Sequence, residues 1–277
     1  MVIRITRENI KPLSAAKGDR KETFVIVLAR DLNGVHKKHI ELQKLGLRHV
    51  IISGEPSQND NVIYRAPRGK YDAINFGLKH VPEEAEIVAL NDVDTRIINY
   101  DHAYRHFSNP RVGLIFTSVE LPEGAHSIFN RLIDSIRRHF IIAANGELMF
   151  IRRDVLKRVT PIPPCKAEDT LILFRTLKIG YQAVFETDCH VLTSRTSSAS
   201  LKNEQIFKRK VVCGIYQALY LGDASFSRKL FYCLLPFASP FLLAAGRKGW
   251  FWMVGILWGL VDFLKGDKTG YWLPTYK

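Results

Sequence analysis

The chain has 277 residues, 47% of them hydrophobic and 24% charged, the composition of a folded protein with room for one large domain or a domain plus an appendage. Its 40 Lys+Arg against 27 Asp+Glu give a formal charge of +13, which favours anionic partners such as nucleotides or acidic lipid headgroups. Four cysteines, far apart and without a CxxC pair, argue against a disulfide framework or zinc site and fit a reducing compartment.

The first 21 residues form a polar N-terminal extension that lacks the apolar stretch of a signal peptide, so the main domain is expected in the cytoplasm. "TFVIVLA" (23–29) predicts a strand buried on both faces. "NGVHKKHIELQKLG" (33–46) carries Val35, Ile40, Leu42 and Leu45 near helical spacing, and Gly46 is placed to end the helix. His36 and His39, three apart on that helix, suit an exposed face. "RHVIIS" (48–53) and "NVIYRA" (61–66) predict two further strands. "KYDAINFGLKHV" (70–81) predicts a helix with Ile74, Leu78 and Val81 on one face. "AEIVALND" (85–92) predicts a fourth strand. Apolar strands separated by helices predict an α/β fold with a mostly parallel sheet and helices on both faces.

Ligands of such sheets bind at the carboxyl ends of the strands. There "ALNDVDT" (89–95) places Asn91, Asp92 and Asp94. Two carboxylates one residue apart repel unless a cation joins them, and oxygen ligands of this kind suit Mg²⁺ or Mn²⁺ held jointly with substrate phosphates. Taken alone, the pair also reads as a turn cap followed by a helix cap. Gly69-Lys70 opens a helix, from which Lys70 can reach an anion. "AEDTLILFRTLKIGY" (167–181) predicts a helix led by Glu168-Asp169 and closed by Gly180. Acids there interact favourably with the helix dipole. An acid beside a bound metal-nucleotide is also placed to act as a general base. "SRTSSASLKN" (194–203) reads as a polar loop. Lys208, Arg209 and Lys210 in "NEQIFKRKVVCG" (203–214) can neutralise phosphate, or face lipid.

Near residue 228 the pattern changes. "LFYCLLPFASPFLLAAG" (230–246) has no charge, and "GWFWMVGILWGLVDFL" (249–264) has only Asp262. Each run is shorter than the roughly 20 residues that span a bilayer upright, and Pro236 and Pro240 would kink the first. Trp250, Trp252 and Trp258 with flanking Lys229, Arg247, Lys248 and Lys265 suit a membrane interface. The expectation is a membrane-associated helical hairpin, with a buried helical pair or a dimer surface as the plainer alternative.

In this order the motifs resemble the family-2 glycosyltransferases of GT-A fold, over about residues 22–220. Gly69-Lys70-Tyr71-Asp72-Ala73-Ile74-Asn75-Phe76-Gly77 resembles that family's G-K-x-x-A-L-N-x-G. Asp92 and Asp94 resemble its D-x-D, Glu168-Asp169 its E-D, and "ANGELMFIRRDVL" (144–156) its acceptor-side segment. Lys208-Arg209-Lys210 with Gly214 resembles R-x-R-W-x-x-G, with Val211 where the family has Trp. The resemblance implies a GT-A nucleotide-diphospho-sugar transferase domain at 22–227 and C-terminal membrane-associated helices with a tail at 228–277. It implies a metal-dependent, inverting hexosyltransferase. Asp92 and Asp94 would hold Mg²⁺ or Mn²⁺, and Asp169 would be the catalytic base. Arg30, Asp31, Ser53, Lys70, Asn91, Asp92, Lys208, Arg209 and Lys210 would bind a UDP- or GDP-linked donor. Gly146, Glu147 and Glu168 would line the acceptor side, for a lipid-linked or glycan acceptor. The turn Ser53–Asp60, "SGEPSQND", departs from the family's acidic base- and ribose-binding turn. Two other readings share these residues: a polyprenyl-phosphate sugar transferase of the same fold, and a non-catalytic, membrane-tethered anion-binding protein. Nucleic acid is not an expected partner, since no nucleic-acid motif accompanies the charge.

Overall fold

The computed structural model describes residues 23–120, 128–193 and 200–266. The N-terminal extension, most of the expected polar loop at 194–203 and the tail after 266 lie outside these residues.

Strand β1 (Thr23–Ala29) is buried along its whole length because it sits inside an eight-stranded sheet covered on both faces. Its alternate residues feed two cores: Phe24, Ile26 and Leu28 enter one, and Val25, Val27 and Ala29 the other. Each Val, Ile, Leu or Phe among them contributes about 1.5–3 kcal/mol on burial, so this strand anchors both layers. After β1 come α1 (Val35–Lys44), β2 (Arg48–Ser53), β3 (Val62–Tyr64), α2 (Lys70–Gly77), β4 (Ile87–Asp92), β5 (Thr95–Ile98), α3 (Asp101–Tyr104) and β6 (Val112–Glu120). Then follow α4 (Ile128–His139), β7 (Leu148–Arg152), α5 (Arg153–Val159), α6 (Glu168–Lys178), β8 (Gln182–Thr193), α7 (Leu201–Leu221), α8 (Phe226–Ala238) and α9 (Gly246–Leu264). Helix α1 ends where expected, with Gly46 at φ 69° just beyond it, and α2 closes through a 3-10 turn over Leu78–His80.

The strand order is β3-β2-β1-β4-β7-β6-β8-β5. The sheet is mixed. β3, β2, β1 and β4 run parallel, as does the β6–β8 pair, while β7 is antiparallel to β4 and β6, and β5 is antiparallel to β8. The antiparallel β7 is a consequence of connection: the chain returns to β4's side, and Asn91 pairs with Leu148. In register, Ala29 lies beside Ser53 and Leu28 beside Asp92, so the ends of β1, β2 and β4 form one edge.

The C-terminal region differs from a free hairpin. Pro236 lies inside α8, and a 3-10 stretch (Ser239–Ala245) with Pro240 leads into α9. Helix α9 packs alongside α7 and runs parallel to it: Gly255 meets Gln205 and Lys208, Gly259 meets Arg209 and Val212, and Phe263 stacks on Tyr216. A Cβ at Gly255 or Gly259 would come within 2.8 or 2.7 Å of an α7 carbonyl oxygen, so glycine is what permits this approach. The remaining surface is apolar. Phe226, Leu230, Leu234, Phe237 and Phe241, at helical spacing, are exposed, the last two at 79% and 83%. The stretch Phe226–Leu264 is long and apolar enough to cross a membrane by length and composition.

Candidate active site

The site grows from the end of β4. Asn91 is fully buried, and its amide donates to the Thr95 hydroxyl at 2.9 Å and to the Glu147 carbonyl at 2.7 Å. Thr95 in turn donates to the Asp92 carbonyl, and the Asp92 amide donates to the Glu147 carbonyl. These bonds fix the Asn91–Thr95 turn against the segment that leads into β7. The buried ammonium of Lys38 supports it from below, donating to the Thr95 carbonyl at 2.5 Å and pairing with Glu41.

The Gly69–Gly77 segment explains its own residue types. Gly69 has φ 114°, a conformation that L side chains rarely adopt, and it turns the chain into α2. Lys70, the first helical residue, reaches inward, with its Nζ 2.8 Å from Asp92 Oδ1, 3.5 Å from Glu168 Oε1 and 3.3 Å from the Gly146 carbonyl. Asn75 makes a reciprocal pair of 2.8 Å bonds with the backbone of Ile162, which holds the segment leading to Glu168. Gly77 lets α2 close on the sheet, since a Cβ there would meet Ile26 at 2.7 Å.

Glu168 and Asp169 begin α6. A Cβ on Gly146 would lie 2.9 Å from Asp169 Oδ2, so the 144–147 segment and the start of α6 are in contact. The sheet and α6 therefore bring Asp92, Glu168 and Asp169 around the ammonium of Lys70, with Glu147 close to Asp92 and Asp169, Asp94 close to Asp92, and the Lys38 ammonium within reach of Asp92 and Asp94. Burial, ahead of the opposing pull of Lys70, holds the carboxyls of Asp92, Glu168 and Asp169 above the usual carboxylate range. Burial works against the Lys70 ammonium, but Asp92, Glu168 and Asp169 more than offset it and hold its pKa above the ordinary lysine value. Buried oxygens of this cluster remain without a hydrogen-bond donor: Asn91 Oδ1, Asp92 Oδ1 and Glu168 Oε2. Asp92 Oδ1 is close to Lys70 but out of line for a hydrogen bond, which Oδ2 accepts at 3.0 Å.

This donor set suits a hard cation. Among the described residues no three acidic or histidine side chains cage a metal by themselves. Mg²⁺ and Mn²⁺ need only one or two carboxylates when substrate phosphates complete the shell. Asp94 is exposed on the turn, facing the open side, and Asp92 is shared with Lys70.

The other expected residues fall in two places. Arg30, Asp31 and Ser53 stand at the ends of β1 and β2, on the same edge as Asp92. Asp31 accepts from the Asn33 amide, Ser53 accepts from the Glu55 amide, and the Glu55 carboxylate accepts from the Leu32 amide. These bonds join the two loops. Lys208, Arg209 and Lys210 diverge because they lie on the long helix α7. Arg209 forms a two-point pair with Asp262 of α9, at 2.5 and 2.6 Å, and Lys208 lies over the Trp252 ring at 3.9 Å. Neither belongs to the carboxylate cluster. Lys210 faces Lys166, and burial and then that neighbour lower its pKa. Lys166, buried two residues before Glu168, is a site neighbour that the pattern of the sequence did not single out. Gly214 and Gln217 of α7 hold it, Gln217 by accepting from the Lys166 amide at 2.9 Å. Thr95 and Lys38 were also missed. A threonine after two aspartates, and a lysine on an otherwise amphipathic helix, carry no local signal.

No family model matches the chain, and no curated protein sequence matches it either. Solved structures do. Over 89% of this chain and 88% of the other, it is similar to a mannosyltransferase from Pyrobaculum calidifontis solved in complex with GDP-Man and Mn²⁺, with a TM-score of 0.61 at 15% identity. A looser likeness, with a TM-score of 0.47 at 13% identity over 72% of this chain and 81% of the other, is to glucosyl-3-phosphoglycerate synthase of M. tuberculosis. Together with the sheet order, the likeness to the mannosyltransferase shows that the chain has the GT-A fold.

Proposed function

We propose that the protein is an inverting, metal-dependent glycosyltransferase that moves a sugar from a nucleotide diphosphate to an acceptor at a membrane surface. The observation that carries this reading is the charge balance at the end of β4: the buried carboxylates of Asp92, Glu168 and Asp169 gather around the Lys70 ammonium, with Glu147 and Asp94 beside them and buried oxygens of Asp92 and Glu168 left without a hydrogen-bond donor. Isolated buried charge is costly, so such a cluster fits a ligand that brings positive charge with it. Asp92 and Asp94 would hold Mg²⁺ or Mn²⁺, which when bound neutralises the diphosphate of the leaving nucleotide.

The chain's own groups divide the remaining work. Lys70, ammonium always charged, would meet the donor phosphates once the cation takes over its share of Asp92. Lys210 and Lys166 would add positive charge from the α7 side. The loops of Arg30, Asp31 and Ser53 would flank the nucleoside. Asp169 is the base we assign: its raised pKa favours proton uptake, and it borders the Gly146–Glu147 segment on the acceptor side. Attack from that side, opposite the leaving diphosphate, inverts the sugar carbon. We take residues 22–227 as the catalytic unit and the exposed apolar stripe of α8 and α9 as its membrane contact, which makes a lipid-linked or membrane-proximal acceptor the natural one. Three buried free thiols, Cys165, Cys189 and Cys213, fit a reducing, cytoplasmic face.

The test is calorimetric titration of UDP, GDP and their sugar conjugates into detergent-purified protein, with Mn²⁺ and with EDTA. Metal-dependent binding of one nucleotide is expected, and the GDP-Man complex of the similar mannosyltransferase makes GDP the first to try. Absence of nucleotide binding would instead favour the non-catalytic, membrane-tethered reading. If the nucleotide binds but turnover survives Asp169→Asn, an acceptor that needs no base, such as a lipid phosphate, becomes the better reading.

A further inference from the structure

The acidic site leaves a second polar cluster unused, on the far side of α7. Lys208 points away from the carboxylates, with its Nζ 3.9 Å from the Trp252 ring centre. Lys248, on the first turn of α9, lies 5.7 Å from the same ring. Arg137, near the end of α4, is close enough to add to the positive potential at Lys208. One turn on, Phe140 packs on Phe231 of α8, which fixes α4 against the C-terminal helices.

Two acids accompany these three cations, and neither satisfies the cluster. Glu204 receives the Trp252 indole N–H at 2.6 Å and pairs with Lys248 at 3.4 Å. Asp134 takes one terminal nitrogen of Arg137 at 3.1 Å. Arg137 Nε is buried and has no acceptor. Lys208 has no carboxylate within ion-pair distance among the described residues, and burial pushes its ammonium down to about 8, with Arg137 adding to the effect. A guanidinium edge and an ammonium that both lack an anion are the donor set of a phosphate site.

The surroundings say what carries the phosphate. Trp250, two residues after Lys248, is exposed, and so is Trp258, whose ring lies 5.5 Å from the Arg209 guanidinium. The exposed Phe237 and Phe241 precede Lys248 along the same surface. Aromatic rings beside cations at the rim of an apolar face are arranged for the headgroup level of a bilayer.

We propose that Lys208 and Lys248, which flank Trp252 where α7 and α9 pack, together with Arg137 of α4, bind the phosphate group of a membrane lipid. The site rests on the membrane-surface reading of α8 and α9, and it is separate from donor binding. It would hold the catalytic unit in a fixed attitude on the bilayer.

The test uses the full chain in vesicle flotation. Vesicles are neutral phosphatidylcholine, phosphatidylcholine doped with phosphatidic acid, or phosphatidylcholine doped to equal charge with a fatty acid that has no phosphate. Binding is expected on all three, tightest with phosphatidic acid. Arg137→Gln with Lys208→Gln should weaken the phosphatidic acid interaction about 25-fold, roughly fivefold per cation, and leave neutral binding unchanged. Lys248→Gln, at the surface, gives a second variant with about a fivefold loss and little risk to folding. Inorganic phosphate at constant ionic strength should compete poorly if the lipid is the ligand, whereas full competition would assign the cluster to a free phosphate and overturn the lipid. Equal binding to phosphatidic acid and the fatty acid, or no loss in any variant, overturns the phosphate site alone. Binding to no vesicle overturns the membrane reading along with it.

Discussion

Gly146→Ala is the sharpest probe of the catalytic geometry. The glycine's backbone tolerates alanine, so the substitution acts through space. Its new Cβ would lie 2.9 Å from Asp169 Oδ2, 3.1 Å from Asp169 Cβ and 3.3 Å from Asp169 Cγ. Ordinary contacts to carbon begin near 3.5 Å, so the carboxylate must withdraw by about 0.6 Å. Asp169 cannot turn freely to do so, because its Oδ1 is held by the Thr170 amide at 2.6 Å. Overpacking of this kind costs about 1–3 kcal/mol in stability. A misplacement approaching 1 Å at a reacting group costs up to about 10²-fold in rate, so we expect kcat to fall about 10- to 100-fold. Donor binding, read by calorimetry with Mn²⁺, should stay unchanged because the atoms nearest the new Cβ all belong to Asp169 and none to Asp92 or Asp94, the proposed metal ligands. Gly113→Ala is the control. Its Cβ would press on Tyr181, 2.8 Å from its Cβ and 2.9 Å from the first ring carbon, a similar steric insult away from Asp169, so it should lower the melting temperature and spare kcat. If Gly146→Ala keeps full kcat, Asp169 is not the base or does not need its position, and the assignment is wrong.

Asp94→Asn should abolish Mn²⁺-dependent nucleotide binding with a melting temperature within about 0.5 kcal/mol equivalent of the parent, since Asp94 is exposed; retained metal-dependent binding would refute its role as a ligand. Asp169→Asn should lower kcat about 10²-fold or more while donor affinity survives, checked by steady-state kinetics beside calorimetry. Asp92, Glu168 and Asp169 have folded pKa values raised by burial, so their stabilising contribution is full below the unfolded values near 4 and is lost as pH rises through the raised ones. The metal-free melting temperature should therefore fall from about pH 4 upward through about pH 8, and Mn²⁺ should restore it at the upper end; a flat profile indifferent to metal would remove the strained acidic cluster from the account. Phe237→Ser with Phe241→Ser, both on exposed positions, should reduce vesicle binding without changing the melting temperature, and unchanged flotation would move the membrane contact elsewhere.

Much of the fold is legible in local pattern. The strand at 23–29 is apolar at every position because both of its faces are covered, and the run itself says so. Gly46 and Gly180 mark helix ends because only glycine takes positive φ without penalty, at 69° and 91° here. The acidic pair after β4 and the Glu168-Asp169 pair at a helix start are visible as residue types. The distance between them is not, since 75 residues of chain separate Asp94 from Asp169 and only the folded sheet closes that gap.

Three decisions belong to tertiary structure alone. Whether a lysine serves the site depends on helix phase and on what the helix packs against: Lys70 turns inward, while Lys208 and Arg209, next to each other in sequence, face α9. Whether the apolar C-terminal runs stand free or pack depends on Gly255 and Gly259 meeting α7, a contact between residues some 50 apart. Which buried oxygens lack a partner follows from the sum of all neighbours and from no single one. The sequence by itself determined the α/β alternation, the acidic strand end and the apolar C-terminal runs, because burial and turn geometry act on residues close in the chain. The structure alone decided the charge balance around Lys70 and the excess of cations over acids near Trp252, because electrostatics acts between residues that only folding brings together.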